Sequence, residues 1–385
     1  MTILVEDTIP FGDEYFSTLG HVRRYAWQSL TPAELSDVDY LVVRSTTKVT
    51  PALLAKASKL KLVTTATAGT NHMDTHFLDK AGIAWNSAAG CNALAVAEYV
   101  ISALLHAARD NRLRWPQCTV GIVGAGNVGT ALARVLTVLG INYKLCDPPR
   151  QEAGDPREFV SLSEVLNCDA ISLHVPLIKS GKHATQGMVN ATVLAQLTAS
   201  QALINACRGE VVDEAALVER CQADAPPTVI LDVFENEPAI DLITMDLAWL
   251  ATPHIAGHSI EGKVRGTQLV YEQVCQAMGL TPTLELDDFL TAVEPVHIQL
   301  SSPDASSLTL PDLTSIWHRV YDIQYDDRHF RKGMAESDQF ASLRKHYRVR
   351  RECAAFTLMF PHTLSAGIRR QLNGLGFRFS THPPM

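Results

Sequence analysis

Short apolar runs alternate with helix-length amphipathic stretches from the first residues of the chain. ILVE (3–6), YLVV (40–43), KLVTT (61–65) and GIAW (82–85) are separated by segments able to form helices, and that alternation predicts parallel strands joined by helical crossovers. Thr50-Pro51 has the form of a helix N-cap followed by proline in the first turn. Residues 93–109, rich in Ala, Val and Leu and without breakers, predict one long, largely buried helix leading from one domain to the next. A second series follows in TVGIVG (119–124), YKLCD (143–147), DAISLHV (169–175), ALINA (202–206) and TVILDV (228–233). Five strands of near-continuous apolar character describe a doubly wound sheet covered on both faces. After Pro253, a helical stretch over 260–278 is matched in length to the first long helix and is expected to run back to the first domain. TPTLELDD then reads as a linker. In the tail, VHIQL (296–300) and AAFTLMF (354–360) look like strands and Thr363 to Gly374 like a capped helix ending at glycine.

A chain of 385 residues is too long for one core and predicts two or three domains. With 46% hydrophobic and 19% charged residues it has the composition of a folded protein. The formal charge of −8 argues against nucleic acid or an acidic membrane as partner, and the basic run Arg344 to Arg351 reads as a solvated face. No signal-peptide pattern opens the sequence and no apolar stretch has membrane-spanning length, so a cytoplasmic protein is expected. The eight cysteines contain no CxxC pair and read as reduced core residues. Cys207, beside Arg208, has no histidine near it in sequence that would activate its thiol, and no metal is expected.

Gly124-Ala-Gly126-Asn-Val-Gly129 follows a predicted strand and opens a predicted helix. The first glycine permits a tight turn, the second lets a pyrophosphate approach the backbone, and the third lets helix and strand pack closely. Free N–H groups at the helix start complete an anion site. Asp147 follows Gly126 by about twenty residues, at the end of the next strand, where a carboxylate accepts hydrogen bonds from ribose hydroxyls and repels a 2′-phosphate. NAD is therefore favoured over NADP, although Arg150 could answer a phosphate.

Hydride transfer from a hydroxy acid requires a cation for the carboxylate, a base for the hydroxyl proton and a group that tunes the base. Arg208 follows an apolar strand, where its guanidinium could hold a carboxylate through two parallel bonds. Glu237 in DVFENEP, alone, would more often be a solvated loop residue, and His254 in TPHIAG would as often be structural. Together they suggest a carboxylate-tuned imidazole that takes the hydroxyl proton.

VGIVGAGNVG, CDPP, LHVPL, INACRGEVVDEAAL, LDVFENEP and TPHIAG resemble the D-isomer-specific 2-hydroxyacid dehydrogenases over roughly residues 1–280, with the arginine, glutamate and histidine motifs in the family's order. VRSTTKVT, TATAGTNHMD, AAGCNALAVAEYV and the length of the tail resemble the branch that oxidises 4-phospho-D-erythronate with NAD in pyridoxal 5′-phosphate synthesis. The resemblance implies a Rossmann-type nucleotide domain (100–257) inserted in a flavodoxin-like substrate-binding domain (1–99 with the returning helix 258–283). A small α+β C-terminal dimerisation domain (284–385) is implied after them, and hence a homodimer.

It further implies Arg208, Glu237 and His254 as catalytic residues, with Ser45, Thr67 and His258 at the substrate. Gly124, Gly126, Asn127, Val128, Gly129, Asp147, Val175, Ala206, Cys207, Arg208, Asp232 and Gly257 would line the cofactor. Ser45 and Thr67 singly could be ordinary turn residues, and Arg44 and Lys48, candidate partners for the 4-phosphate, could be exposed ion-pair residues. Two positions depart from the branch: His258 stands where a tyrosine is typical, and Val175 where a threonine is common. Two other readings stay open. One is a phosphoglycerate or glyoxylate/hydroxypyruvate enzyme of the same family, against which the tail argues; the other is an NAD-sensing, corepressor-like interaction protein. Closure of a cleft between domains is expected.

Overall fold

The computed structural model describes residues 1–337 and 339–381. The chain falls into two compact units, Met1–Asn92 with Ser259–Thr291, and Ala93–His258 with Ala292–Met385. In the first unit, strands β1 (Thr2–Glu6), β2 (His21–Tyr25), β3 (Tyr40–Val43), β4 (Leu62–Thr65) and β5 (Ala84–Ser87) form one sheet in the order β2-β1-β3-β4-β5. Every neighbouring pair is parallel. The helix Ile260–Met278 packs Val264, Val270 and Val274 into the core built on Ile3, Val5 and Val42. Strand β2 has no counterpart in the sequence reading. It lies at the sheet edge, and its HVRRY keeps only Tyr25 buried, so no apolar alternation marks it. Thr50 is not the N-cap its sequence suggested: a single 3₁₀ turn, Leu53–Lys56, begins after Ala52, although the Thr50 hydroxyl accepts the Leu53 N–H at 3.2 Å.

The second unit contains β6 (Thr119–Val123), β7 (Asn142–Cys146), β8 (Ala170–Leu173), β9 (Ala202–Asn205), β10 (Thr228–Leu231) and β11 (Leu250–Ala251), in the order β11-β10-β9-β8-β6-β7. This too is parallel throughout. It has one strand more than the five expected, because β11 is only two residues long and too short to show a period. Strand order reverses between β6 and β8, and in such sheets ligands bind at the carboxyl ends of the strands flanking that point. The remaining strands, β12 (Val296–His297), β13 (Thr357–Phe360) and β14 (Arg378–Thr381), form a separate three-stranded parallel sheet.

The long helix Ala93–Arg109 is buried along nearly its whole length. Its Leu104 and Leu105 share one core with Leu132 and Leu136 of the helix Asn127–Leu139 and with Trp317, Ile368 and Phe377 of the C-terminal segment. The basic run 344–351 is not simply a solvated face. Arg350 is buried over the Tyr321 ring, 3.7 Å from its centroid, and donates to the carbonyls of Ala256 at 2.9 Å and Ala95 at 2.6 Å. Among the described residues, no helix is long and apolar enough to cross a membrane.

Candidate active site

In the second unit, the residues singled out in the sequence gather at the carboxyl ends of the strands. Gly124, at the end of β6, has φ +92°, and a Cβ there would stand 2.4 Å from the His174 carbonyl oxygen. Gly129 is equally constrained, since its Cβ would fall 2.0 Å from the Gly124 carbonyl oxygen. Gly126 differs: a Cβ built on it meets nothing within 4 Å. The fold therefore needs glycine at 124 and 129 but not at 126, where the backbone is left open to an approaching group. Asn127 is exposed and Val128 half-buried at the start of the helix, whose first N–H groups have no intrahelical acceptors.

Asp147 closes this turn from the end of β7. One carboxylate oxygen accepts the Ala125 N–H at 2.8 Å and the other the Arg150 N–H at 3.1 Å. Each oxygen keeps a further lone pair for a hydroxyl donor. Arg150 approaches the same carboxylate at 3.7 Å, an exposed cation beside it. Val175 packs on the turn, its Cγ1 within 3.0 Å of a Cβ at Gly124. These features fit a dinucleotide.

Arg208 leaves the end of β9 in extended conformation. Its turn is fastened by Asn205, whose amide nitrogen donates to the Arg208 carbonyl at 2.9 Å while its amide oxygen accepts the Cys207 N–H at 3.2 Å. Gly209 brings this turn against the next loop, since a Cβ there would lie 2.0 Å from the Phe234 carbonyl. Neither Asn205 nor Gly209 was singled out in the sequence. Cys207 is buried and burial pushes its thiol up to about 11, which leaves it protonated and unfit as a nucleophile. Ala206 is half-buried beside it.

Glu237 and His254 meet. The imidazole Nδ1 lies 2.7 Å from Glu237 Oε2, while Oε1 accepts the Phe234 N–H at 3.1 Å. His254 has φ +57°, an unusual backbone for a histidine, and the loop that imposes it is pinned by Asp232. The buried carboxylate of Asp232 accepts Thr252 Oγ1 at 2.7 Å, the Ile255 N–H at 2.7 Å and the Ala256 N–H at 2.9 Å. Burial raises Asp232 to about 6, opposed by the charge of His254 and by these three hydrogen bonds. Arg350 holds the Ala256 carbonyl from the C-terminal segment. Gly257 and His258 follow, both half-buried, and the His258 ring stands 6.3 Å from that of Tyr347.

The first unit carries the other candidates. The loop after β3 is held by buried Glu6, which accepts the Arg44 N–H at 2.9 Å and the hydroxyls of Thr47 at 2.6 Å, Thr8 at 2.7 Å and Thr46. Burial alone would raise Glu6, and these bonds outweigh it and hold the carboxyl below its ordinary value. Ser45 and Lys48 are exposed on this loop, and Arg44 reaches the Thr8 carbonyl at 3.1 Å. Lys263, a cation the sequence did not single out, is lowered by burial and then by the charge of Arg44. Thr67 shares its hydroxyl with Thr65 at 2.8 Å, which in turn meets His72 Nε2 at 3.0 Å.

Residues 105–256 match the D-isomer specific 2-hydroxyacid dehydrogenase, NAD binding domain, and residues 295–376 match a Domain of unknown function (DUF3410). The chain is 46% identical to the erythronate-4-phosphate dehydrogenase of Pseudoalteromonas atlantica, over 93% of this chain and 95% of that one. It is 42% identical to that of Marinobacter nauticus, over 98% and 99%. The chain belongs to the erythronate-4-phosphate dehydrogenase family. A solved structure of D-lactate dehydrogenase from Aquifex aeolicus, complexed with NAD and lactic acid, is 26% identical with a TM-score of 0.58, covering 72% of this chain and 96% of that one. For this family the Gly124–Gly129 turn thus lies in an NAD-binding domain.

Proposed function

We propose that the protein oxidises 4-phospho-D-erythronate to (R)-3-hydroxy-2-oxo-4-phosphooxybutanoate with NAD, a step of pyridoxal 5′-phosphate synthesis. The observation that carries the reading is the 2.7 Å contact between His254 and Glu237, in a chain 46% identical to a named erythronate-4-phosphate dehydrogenase. Arg208 holds the substrate carboxylate through its guanidinium fork. With Nδ1 held by Glu237, His254 presents Nε2 to the C2 hydroxyl and takes its proton. When bound, NAD accepts the hydride released from C2. The Glu237 carboxylate stabilises the imidazolium that forms, and on reversal the same imidazole returns the proton.

Gly124, Gly126, Asn127, Val128, Gly129 and Asp147 serve the cofactor's phosphates and ribose in this reading. Val175, Ala206, Cys207, Asp232 and Gly257 flank it. Asp232 acts through its clamp on the His254 loop. Ser45, Thr67 and His258 contact the substrate, and Arg44 and Lys48 are its charge partners in the first unit. A cytoplasmic homodimer completes the proposal. The eight free cysteines suit a reducing compartment, and the exposed Tyr325 and Val349 of the C-terminal segment suit a subunit contact.

A substrate panel with NAD tests the assignment. NADH should form fastest with 4-phosphoerythronate, ahead of 3-phosphoglycerate and glycerate. Equal rates on phosphorylated and unphosphorylated acids would defeat the proposed specificity, and nucleotide binding without turnover on any hydroxy acid would favour an interaction protein.

A further inference from the structure

The sheet of the first unit has a reversal of its own. Its order β2-β1-β3-β4-β5 turns between β1 and β3, and in open α/β sheets the carboxyl ends flanking such a point form a ligand crevice. The loops after β1 and β3 meet there, the Arg44 guanidinium donating to the Thr8 carbonyl at 3.1 Å. The helix Ile260–Met278 brings Lys263 to the same end of the sheet. Its Gln273 is level with the strands, accepting from Thr64 Oγ1 at 2.5 Å and donating to the Ser87 carbonyl at 2.9 Å. Nearer the helix start, Gly266 lies just past β4, where a Cβ would stand 2.6 Å from the Ala66 carbonyl oxygen, and Thr267 donates to the Pro10 carbonyl, in the loop after β1, at 3.0 Å. The helix thus runs antiparallel to the strands. Lys263 is about 4.5 Å beyond Gly266 along the axis, and its Cα–Cβ bond tilts toward the helix start, away from the sheet. It is half-buried, and among the described residues its ammonium has neither a hydrogen-bond nor an ion-pair partner. Burial lowers it, and the like charge of Arg44 lowers it further. Glu6, the carboxylate at the end of β1, is engaged by Thr8, Thr46, Thr47 and the Arg44 N–H.

We propose that Lys263 is a phosphate-binding residue of the first unit, seating the phosphate of a phosphorylated hydroxy acid together with Arg44. The proposal rests on the functional reading above, to which it adds the side chain that separates phosphorylated from plain acids. A half-buried ammonium that faces a like charge and has no counter-ion is costly until an anion reaches it. A phosphate ester brings up to two negative charges and three acceptor oxygens, enough for two cations. A carboxylate brings one charge, which Arg208 answers in that reading. Lysine suits the task because its compact charge carries three donors that rotate to follow the phosphate oxygens. The returning helix thereby supplies a substrate contact as well as packing.

The test uses the full-length protein with Lys263→Met, which keeps the apolar stem and removes the charge. Its kcat/KM for 4-phosphoerythronate relative to unphosphorylated erythronate should fall about 10–100-fold, chiefly through KM, as expected for loss of a charge-assisted contact. Lys263→Arg should keep much of that ratio by retaining a cation at the same place. With NAD saturating, inorganic phosphate should raise the melting temperature of the wild type and of Lys263→Arg more than that of Lys263→Met. That readout tests the seat even if 4-phosphoerythronate proves not to be the substrate, an outcome that would overturn the functional reading alone. Equal losses on the two acids, or a phosphate-induced shift of the same size in wild type and Lys263→Met, would overturn the proposal.

Discussion

Glu237 ties two loops together, one oxygen on the Phe234 N–H of its own loop at 3.1 Å and the other on His254 Nδ1, in the loop after β11, at 2.7 Å. The first bond fixes the carboxylate, and the second fixes the imidazole and its tautomer. Glu237→Gln keeps the size and loses the charge that stabilises the imidazolium. Its kcat should fall about 10–100-fold, whereas His254→Ala should lose ~10²–10⁴ by removing the base itself. Steady-state rates with 4-phosphoerythronate, alongside NADH binding by fluorescence, distinguish lost chemistry from lost cofactor. Full activity in either variant would remove that residue from the mechanism.

Arg208, Glu237, His254 and the three glycines were legible because each sits in a motif at the end of an apolar strand, where local sequence determines position. Asn205, Gly209 and Glu6 were not, because their importance lies in what approaches them from elsewhere: the Phe234 carbonyl against Gly209, or the hydroxyls of Thr46 and Thr47 on Glu6. The same holds for Arg344 and Arg350. A basic run normally signals a wet surface, and only the docking of Phe340 and the Tyr321 ring over Arg350 leave Arg344 partly buried and take Arg350 inside. Strands β2 and β11 escaped for a different reason, one being a charged edge and the other only two residues long.

The glycine turn offers a separation of fold from ligand. Gly126→Ala meets no atom within 4 Å, so its stability should change by less than about 0.5 kcal/mol. Its NADH affinity should nevertheless drop more than about tenfold if a pyrophosphate approaches that backbone. Gly124→Ala combines φ +92° with a 2.4 Å collision against a backbone carbonyl and should be destabilised outright. Fluorescence titration and thermal melts of both variants check this. Unaltered NADH binding in a stable Gly126→Ala would contradict the cofactor placement.

Asp232 gathers three donors from Thr252, Ile255 and Ala256, and no neutral isostere reproduces that. Asp232→Asn turns an NH₂ group toward at least one of them, leaving buried polar groups unmatched. A loss of about 1–3 kcal/mol is expected, with the left-handed His254 released from its clamp and turnover reduced more than NADH binding. Urea denaturation and initial rates measure the two effects. A variant as stable and active as the wild type would show that the clamp is dispensable.

Three histidines draw stability down as the pH falls. Burial holds His72 and His106 down to about 4 and His174 to about 3, against about 6.5 in an unfolded chain. Above 6.5 both states are neutral at these sites. As pH falls from there toward 4, only the unfolded chain takes up the protons, so stability is lost through that window by up to ~1.4 kcal/mol per unit for each histidine. Asp232, raised to about 6, works in the opposite sense below that pH, because the folded protein then binds the extra proton. Burial also raises Glu98, to about 8, and Glu214, and these carboxyls act with Asp232 against the imidazoles, so the contribution of one histidine is read by removing it. His106, which faces Asp322 at 3.5 Å and is further lowered by Arg109, provides the control. His106→Gln removes one imidazole and should raise the urea midpoint at pH 5 relative to that at pH 7, compared with the wild type, even if it lowers stability throughout, whereas an unchanged pH dependence would mean that His106 is not held neutral by the fold.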